Sequence, residues 1–226
     1  MQKLCWVKTI IVLLWAGSIA SYGQDVKLEE IEWTDIWVMN AKETENPRVL
    51  LVGDSIVKGY YGALEQGLSG QAACARYATS LFLSNPDYLA ELTLLLKRYD
   101  FDVVHINNGL HGWDYSEEEY RKGLQGLLAL MEREAPRAKI VWANTTPVRS
   151  SQDLSQLDAA QNDRVIERNK IAAEIMDAKE IPVNDLYGLV QNHPEYFAKD
   201  GVHFNATGQA AQAKQVAEYV KRVLGG

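Results

Sequence analysis

The sequence predicts an α/β fold in which a parallel sheet is covered on both faces by helices. Three observations carry this. Short apolar runs recur along the chain, at RVLLVGD (48–54), FDVVHIN (101–107) and KIVWAN (139–144). Being apolar on both faces, they suit strands buried in a parallel sheet. Helical patterns lie between them, and strands alternating with helices are the signature of the parallel α/β class. No internal repeat, low-complexity stretch or linker interrupts the alternation, so residues 24–226 read as one domain.

Taken in order, residues 1–23 stand outside this pattern. Lys3 and Lys8 precede the apolar run Ile10–Ala16, and small residues follow at Gly17, Ser18, Ala20, Ser21 and Gly23. This is the layout of a secretory signal peptide, with cleavage after Ala20 or Gly23. The run is short of the roughly 20 apolar residues that span a bilayer. A secreted or periplasmic protein is therefore expected, with no stable membrane insertion after cleavage. Cleavage would remove Cys5 and leave Cys74 as the lone thiol, in an apolar stretch that suits a buried, inert cysteine.

The run 48–54 is the first strand of the alternation, and ACARYA (73–78) is a further candidate. Asp87 to Arg98, opening after Pro86, reads as a helix. Ser116 followed by Glu119 is a capping-box signature, and Tyr120, Leu124, Leu127, Leu128 and Met131 then recur at helical spacing until Pro136. A helix over roughly 155–179 presents Val165, Ile166, Ala172, Ile175 and Met176, and another runs from about Ala206 to Val223. IPVND (181–185) is a weaker strand. His105 and Trp142 fall within strands and read as core; His193, before Pro194, reads as a surface-loop residue. Trp33 and Trp37 suit packing of the N-terminal segment against the domain.

Composition narrows the function. The 226-residue chain has 23 Lys+Arg against 30 Asp+Glu, a formal net charge of −7, which disfavours phosphate backbones and so nucleic acid as a partner. Two cysteines and no H-x-x-x-H or C-x-x-C pairing leave no motif for a metal site, and neither G-x-G-x-x-G nor a P-loop is present. No cofactor is expected.

Chemistry is sought at the carboxyl ends of the strands, where open sheets of this class bind ligands. The first strand ends in Gly53-Asp54-Ser55-Ile56, which places a serine on a tight turn; the same tripeptide also serves as a plain turn and helix cap. Near the C-terminus, Asp200 and His203 are three apart in DGVHFN. A carboxylate there can fix the imidazole tautomer and free the other nitrogen to take a serine proton. Gly70, in GLSGQ, can offer a backbone N–H at close approach. Asn107, Asn108 and His111 follow the third run as possible oxyanion donors, or as loop turn residues. Trp113 could stack on a sugar ring or line an acyl pocket, and Thr145 lies on the same edge.

Taken together, the order of these motifs resembles the SGNH (GDSL) hydrolase family of serine esterases, from GDSI at 53–56 to DGVHFN at 200–205. The resemblance implies a flavodoxin-like three-layer α/β/α fold. It implies Ser55 as nucleophile, Asp200 and His203 as acid and base, and an oxyanion hole from the N–H groups of Ser55 and Gly70 with a third donor. That third motif departs from the family's usual Gly-x-Asn-Asp: Gly109 aligns with its glycine and His111 stands in place of the asparagine. Either His111 donates or a neighbouring asparagine substitutes. A neutral amide donates without depending on pH, which favours Asn108. The expected activity is hydrolysis of small acyl esters, including O-acetyl groups on carbohydrates. Lipid acylhydrolysis, or sugar binding without catalysis on the same fold, are the competing readings.

Overall fold

The computed structural model describes residues 26–42 and 45–225; the signal-peptide expectation and Cys5 lie outside them. Six strands form one sheet in the order β1-β3-β2-β4-β5-β6. They are β1 (Thr34–Val38), β2 (Arg48–Gly53), β3 (Ala73–Thr79), β4 (Val103–Ile106), β5 (Lys139–Ala143) and β6 (Val183–Asn184). The last five are parallel, and β1 joins β3 antiparallel at the edge. The fold is thus the α/β class expected, with one departure. The edge strand β1 was not legible, because an edge strand has one neighbour and Ile36 and Trp37 stay about half exposed, which erases the hydrophobic signature.

Helices α1 (Ser55–Gly67), α2 (Pro86–Arg98), α3 (Glu117–Glu134), α4 (Ala159–Ala178), α5 (Leu186–Val190) and α6 (Ala206–Gly225) flank the sheet. The core divides into two layers, as a sheet buried on both faces requires. Leu50, Val52, Val104, Ile106 and Trp142 point into one with α2 and α3. Val49, Leu51, Val103, Val141 and Ala143 point into the other with α1 and α6. Alternate residues of β2 thus serve opposite layers, and its six residues are all buried. The capping box of Ser116 and Glu119 is present, with acidic residues in the first turn of α3 where the helix dipole favours them. No helix among the described residues is long and apolar enough to cross a membrane.

Two buried groups have explanations of their own. Cys74 is buried and free, and burial pushes its thiol up to about 12, so it is inert. His105 is fully buried, and burial pushes it down to about 4. Its Nε2 meets the Asn184 carboxamide at 3.1 Å, while Nδ1 has no partner among the described residues.

Candidate active site

Ser55 is the first residue of α1, so its N–H is not consumed by the helix ladder and points into the space before the helix. Asp54 caps that helix by accepting from the Ile56 N–H at 2.8 Å. Asp54 is 1% exposed, and burial pushes its carboxyl above the usual carboxylate range, against the pull of His111 and His203. The structure brings Ser55, His203 and Asp200 together although the serine and histidine are 148 residues apart. Ser55 Oγ lies 2.9 Å from His203 Nε2, and His203 Nδ1 lies 2.9 Å from Asp200 Oδ2.

The Asp200–His203 turn is built locally. Asp200 Oδ1 accepts from the N–H groups of Val202 and His203, both at 2.9 Å. Burial opposes the charge on Asp200, but these two N–H bonds and the imidazole hold its carboxyl below the usual range. Gly201 has φ +76°, the left-handed region that favours glycine, and a Cβ there would run into the Arg149 carbonyl. The Arg149 N–H donates to the Gly201 carbonyl at 2.8 Å. Asn205 then caps α6 through the N–H groups of Thr207 and Gly208. The side chains of His203 and Asp200 are 48% and 52% exposed, so the site opens directly to solvent.

Two strand ends flank Ser55. On the β4 side, residues 107–113 form a loop held from below by Arg168, which is fully buried. Its guanidinium donates to the carbonyls of Gly109, His111 and Gly112 at 2.8, 2.8 and 3.0 Å. From above, Glu29 accepts from the Gly112 N–H and sits against His111 Nδ1, each at 2.7 Å. Neither Arg168 nor Glu29 was singled out by the sequence. Arg168 did leave a trace, since it shares a helical stripe with Val165, Ala172 and Ile175, where a charge is out of place. Glu29 left none.

Several expected site residues are placed elsewhere. Gly70 lies in the connection from α1 to β3, and β3 runs parallel to β2, with Ala73 beside Arg48 and Ala78 beside Gly53. Gly70 is therefore at the amino edge of the sheet, about 16–20 Å from the Ser55 edge at 3.3 Å per residue. It lines a surface hollow together with Met39, Asn46 and Ala73. The β3 end beside Ser55 carries Thr79, Ser80 and Leu81 instead, and the Ser80 N–H is spent on the Trp33 carbonyl at 3.0 Å. Asn107 is 5% exposed and donates its amide to the Ala143 carbonyl at 2.8 Å, tying β4 to β5. Asn108 is 2% exposed and donates to the Leu81 carbonyl at 3.0 Å. Thr145 is fully buried against Asn107 and Asn108. These three are buried and brace the strand ends. The Trp113 ring is half-buried and takes the Arg168 and Arg164 guanidinium groups at 4.9 and 5.6 Å.

A mostly parallel sheet covered by helices, with Ser55, His203 and Asp200 linked in series at its carboxyl edge, is an arrangement suited to a serine hydrolase. The chain belongs to the GDSL-like lipase/acylhydrolase family, whose model matches residues 51–211, and is by that membership an ester hydrolase. No curated relative matches it. Among solved structures it is similar to an aryl esterase of M. smegmatis, at 15% identity over 78% of this chain and 99% of that one, with TM-score 0.66. It is also similar to a carbohydrate acetylesterase family member from Sinorhizobium meliloti, at 18% identity over 80% and 100% of the two chains, TM-score 0.63. A GDSL-like lipase from Bacteroides thetaiotaomicron matches at 15% identity over 77% and 88%, TM-score 0.61. At these identities the structures establish the fold.

Proposed function

We propose that this chain is a secreted or periplasmic serine esterase that removes small acyl groups, O-acetyl groups on carbohydrates among them. The observation that carries this is the series Ser55 Oγ, His203 Nε2, His203 Nδ1, Asp200 Oδ2, with both links at 2.9 Å. His203 takes the Ser55 proton as Oγ attacks the ester carbonyl, and Asp200 holds the tautomer and stabilises the imidazolium. The tetrahedral oxyanion lies against the Ser55 N–H at the α1 N-terminus, where the helix dipole favours negative charge, and against a donor of the 107–113 loop. His203 returns its proton to the departing alcohol. Water, activated by His203, then cleaves the acyl-enzyme and releases the acid.

Exposure of the His203 and Asp200 side chains supports a small acyl group carried on a large alcohol that stays in solvent. The carbohydrate acetylesterase among the structural neighbours supports the same substrate class. The export reading rests on the layout of residues 1–23. Leu28 and Ile31, 67% and 72% exposed on the segment that carries Glu29, favour a second reading in which an acyl chain or lipid surface lies beside the site. The test is hydrolysis by the purified protein of p-nitrophenyl esters of increasing chain length and of acetylated oligosaccharides, with Ser55→Ala as control. An acetylesterase loses rate as the chain lengthens; a lipid acylhydrolase gains it. Equal behaviour of wild type and Ser55→Ala sinks both.

A further inference from the structure

Of the three candidate donors in the 107–113 loop, Asn107, Asn108 and His111, only His111 is neither buried nor committed on all sides. Asn107 and Asn108 donate inward, to Ala143 and Leu81, and both are almost fully buried. His111 keeps 19% of its side chain exposed, and its Nδ1 is fixed on Glu29 Oε2 at 2.7 Å. No hydrogen bond engages its Nε2 among the described residues. The backbone bearing it cannot drift, since Arg168 grips the carbonyls of Gly109, His111 and Gly112. Strand register puts the loop beside Ser55, because Val52 pairs with Ile106 and the Asn107 N–H donates to the Val52 carbonyl.

A histidine that donates Nδ1–H to a carboxylate has, when neutral, an Nε2 that can only accept. It can donate to an oxyanion from Nε2 only when it carries the second proton. We propose that Glu29 is a positioning residue that fixes His111 as a doubly protonated imidazolium, and that His111 Nε2–H is the third oxyanion donor. This rests on the serine-esterase reading and names the donor that reading leaves open. The donor is then a cation, which a carboxamide cannot be, and its partner comes from the segment before β1.

The charges around His111 agree. Glu29 and Glu32 face it from the N-terminal segment, Asp54 from the turn before α1, and Arg168 from α4 beneath. Lys58 of α1 lies 5.4 Å over the Trp33 ring, whose edge meets the His111 ring at 6.5 Å between centroids. Burial opposes charge on the imidazole, but the Glu29 hydrogen bond and the carboxylates of Asp54, Glu29 and Glu32 outweigh it and hold His111 above the ordinary histidine value. Glu29 is correspondingly held below the usual carboxylate range, against its own burial, by His111 and the Gly112 N–H.

The sign follows. A required imidazolium with a raised value works below that value, so turnover falls as pH rises through it. In Glu29→Gln the raising partner is gone while burial stays, so the alkaline limb moves to lower pH, with KM little changed. His111→Ala lowers kcat by about 10²–10³-fold, the usual cost of one oxyanion donor. His111→Asn restores a neutral donor, so kcat recovers to within about tenfold and the alkaline limb disappears. Glu29→Gln added to His111→Asn leaves that profile unchanged.

The experiment is the kcat and KM pH profile of the full-length protein and these variants on p-nitrophenyl acetate, with thermal unfolding of each. It is paired with ¹⁵N imidazole spectra of wild type, Glu29→Gln and His111→Asn. A doubly protonated imidazole signal near neutral pH, absent in His111→Asn and shifted to neutral in Glu29→Gln, supports the proposal without any substrate. A neutral His111 in the wild-type spectrum overturns it. So does a uniform drop in Glu29→Gln with the limb unmoved, which marks a structural role only, or near-normal turnover in His111→Ala. Ser55→Ala separates the two ideas: its inactivity with full activity of His111→Ala discards the donor and keeps the esterase, whereas its full activity discards the esterase itself.

Discussion

The two loops that flank Ser55 are built on opposite plans. The Asp200–His203 turn is local: its acid and base are three residues apart, the acid binds two N–H groups of its own turn, and both side chains are about half exposed. The 107–113 loop is assembled from afar. Arg168 reaches it across 56 to 59 residues and Glu29 across 82 or more, and Arg168 is entirely buried. One side of the site carries exposed, replaceable chemistry, and the other is part of the packed interior. Substitutions should accordingly separate activity from stability.

The sharpest break is Ser55→Ala, which removes the group between the two loops. Hydrolysis of p-nitrophenyl acetate should fall by about 10⁴-fold or more with thermal unfolding unchanged. In the local turn, Asp200→Asn keeps an oxygen for the Val202 and His203 N–H groups but turns an amide towards Nδ1. The imidazole then presents N–H to Ser55, and kcat should drop by about 10²–10⁴-fold with little loss of stability. A destabilisation above about 1 kcal/mol by urea titration would show that the turn is not as independent as its geometry implies.

In the long-range loop the order reverses. Arg168→Leu strands the carbonyls of Gly109, His111 and Gly112 and leaves the Glu117 carboxylate, 3.4 Å from the guanidinium, to Arg164 alone. It should cost about 3–5 kcal/mol of unfolding free energy, read by denaturant titration, before any effect on kcat is considered. An unaltered midpoint would mean that the clamp contributes nothing. The smallest effect is expected at Gly70, on the far edge of the sheet. Gly70→Ala meets a φ of +72° and should cost about 1 kcal/mol, while kcat stays within twofold. A large fall in kcat there would return Gly70 to the oxyanion hole and upset the edge assignment.

Much of this molecule was legible before folding. The buried strands β2, β4 and β5 announced themselves because a strand apolar on both faces has few alternatives. The α3 capping box was equally plain, because caps are local. The serine turn and the Asp-x-x-His turn were readable for the same reason: each depends on residues within three positions of one another. Gly70 misled because a motif match carries no information about which end of a strand it precedes. Asn107, Asn108 and Thr145 misled because a polar residue at a strand end serves equally to face a ligand or to tie neighbouring strands, and only packing chooses.

The sequence by itself thus determined the layer architecture, the family and the three groups in series, since these follow from hydrophobic period, turn chemistry and short motifs. The tertiary structure alone decided that Gly70 stands at the wrong edge, that both asparagines turn inward, and that Glu29 and Arg168 hold His111 from either side. Those outcomes depend on strand direction and on contacts between residues tens of positions apart, and no local preference in the chain encodes either.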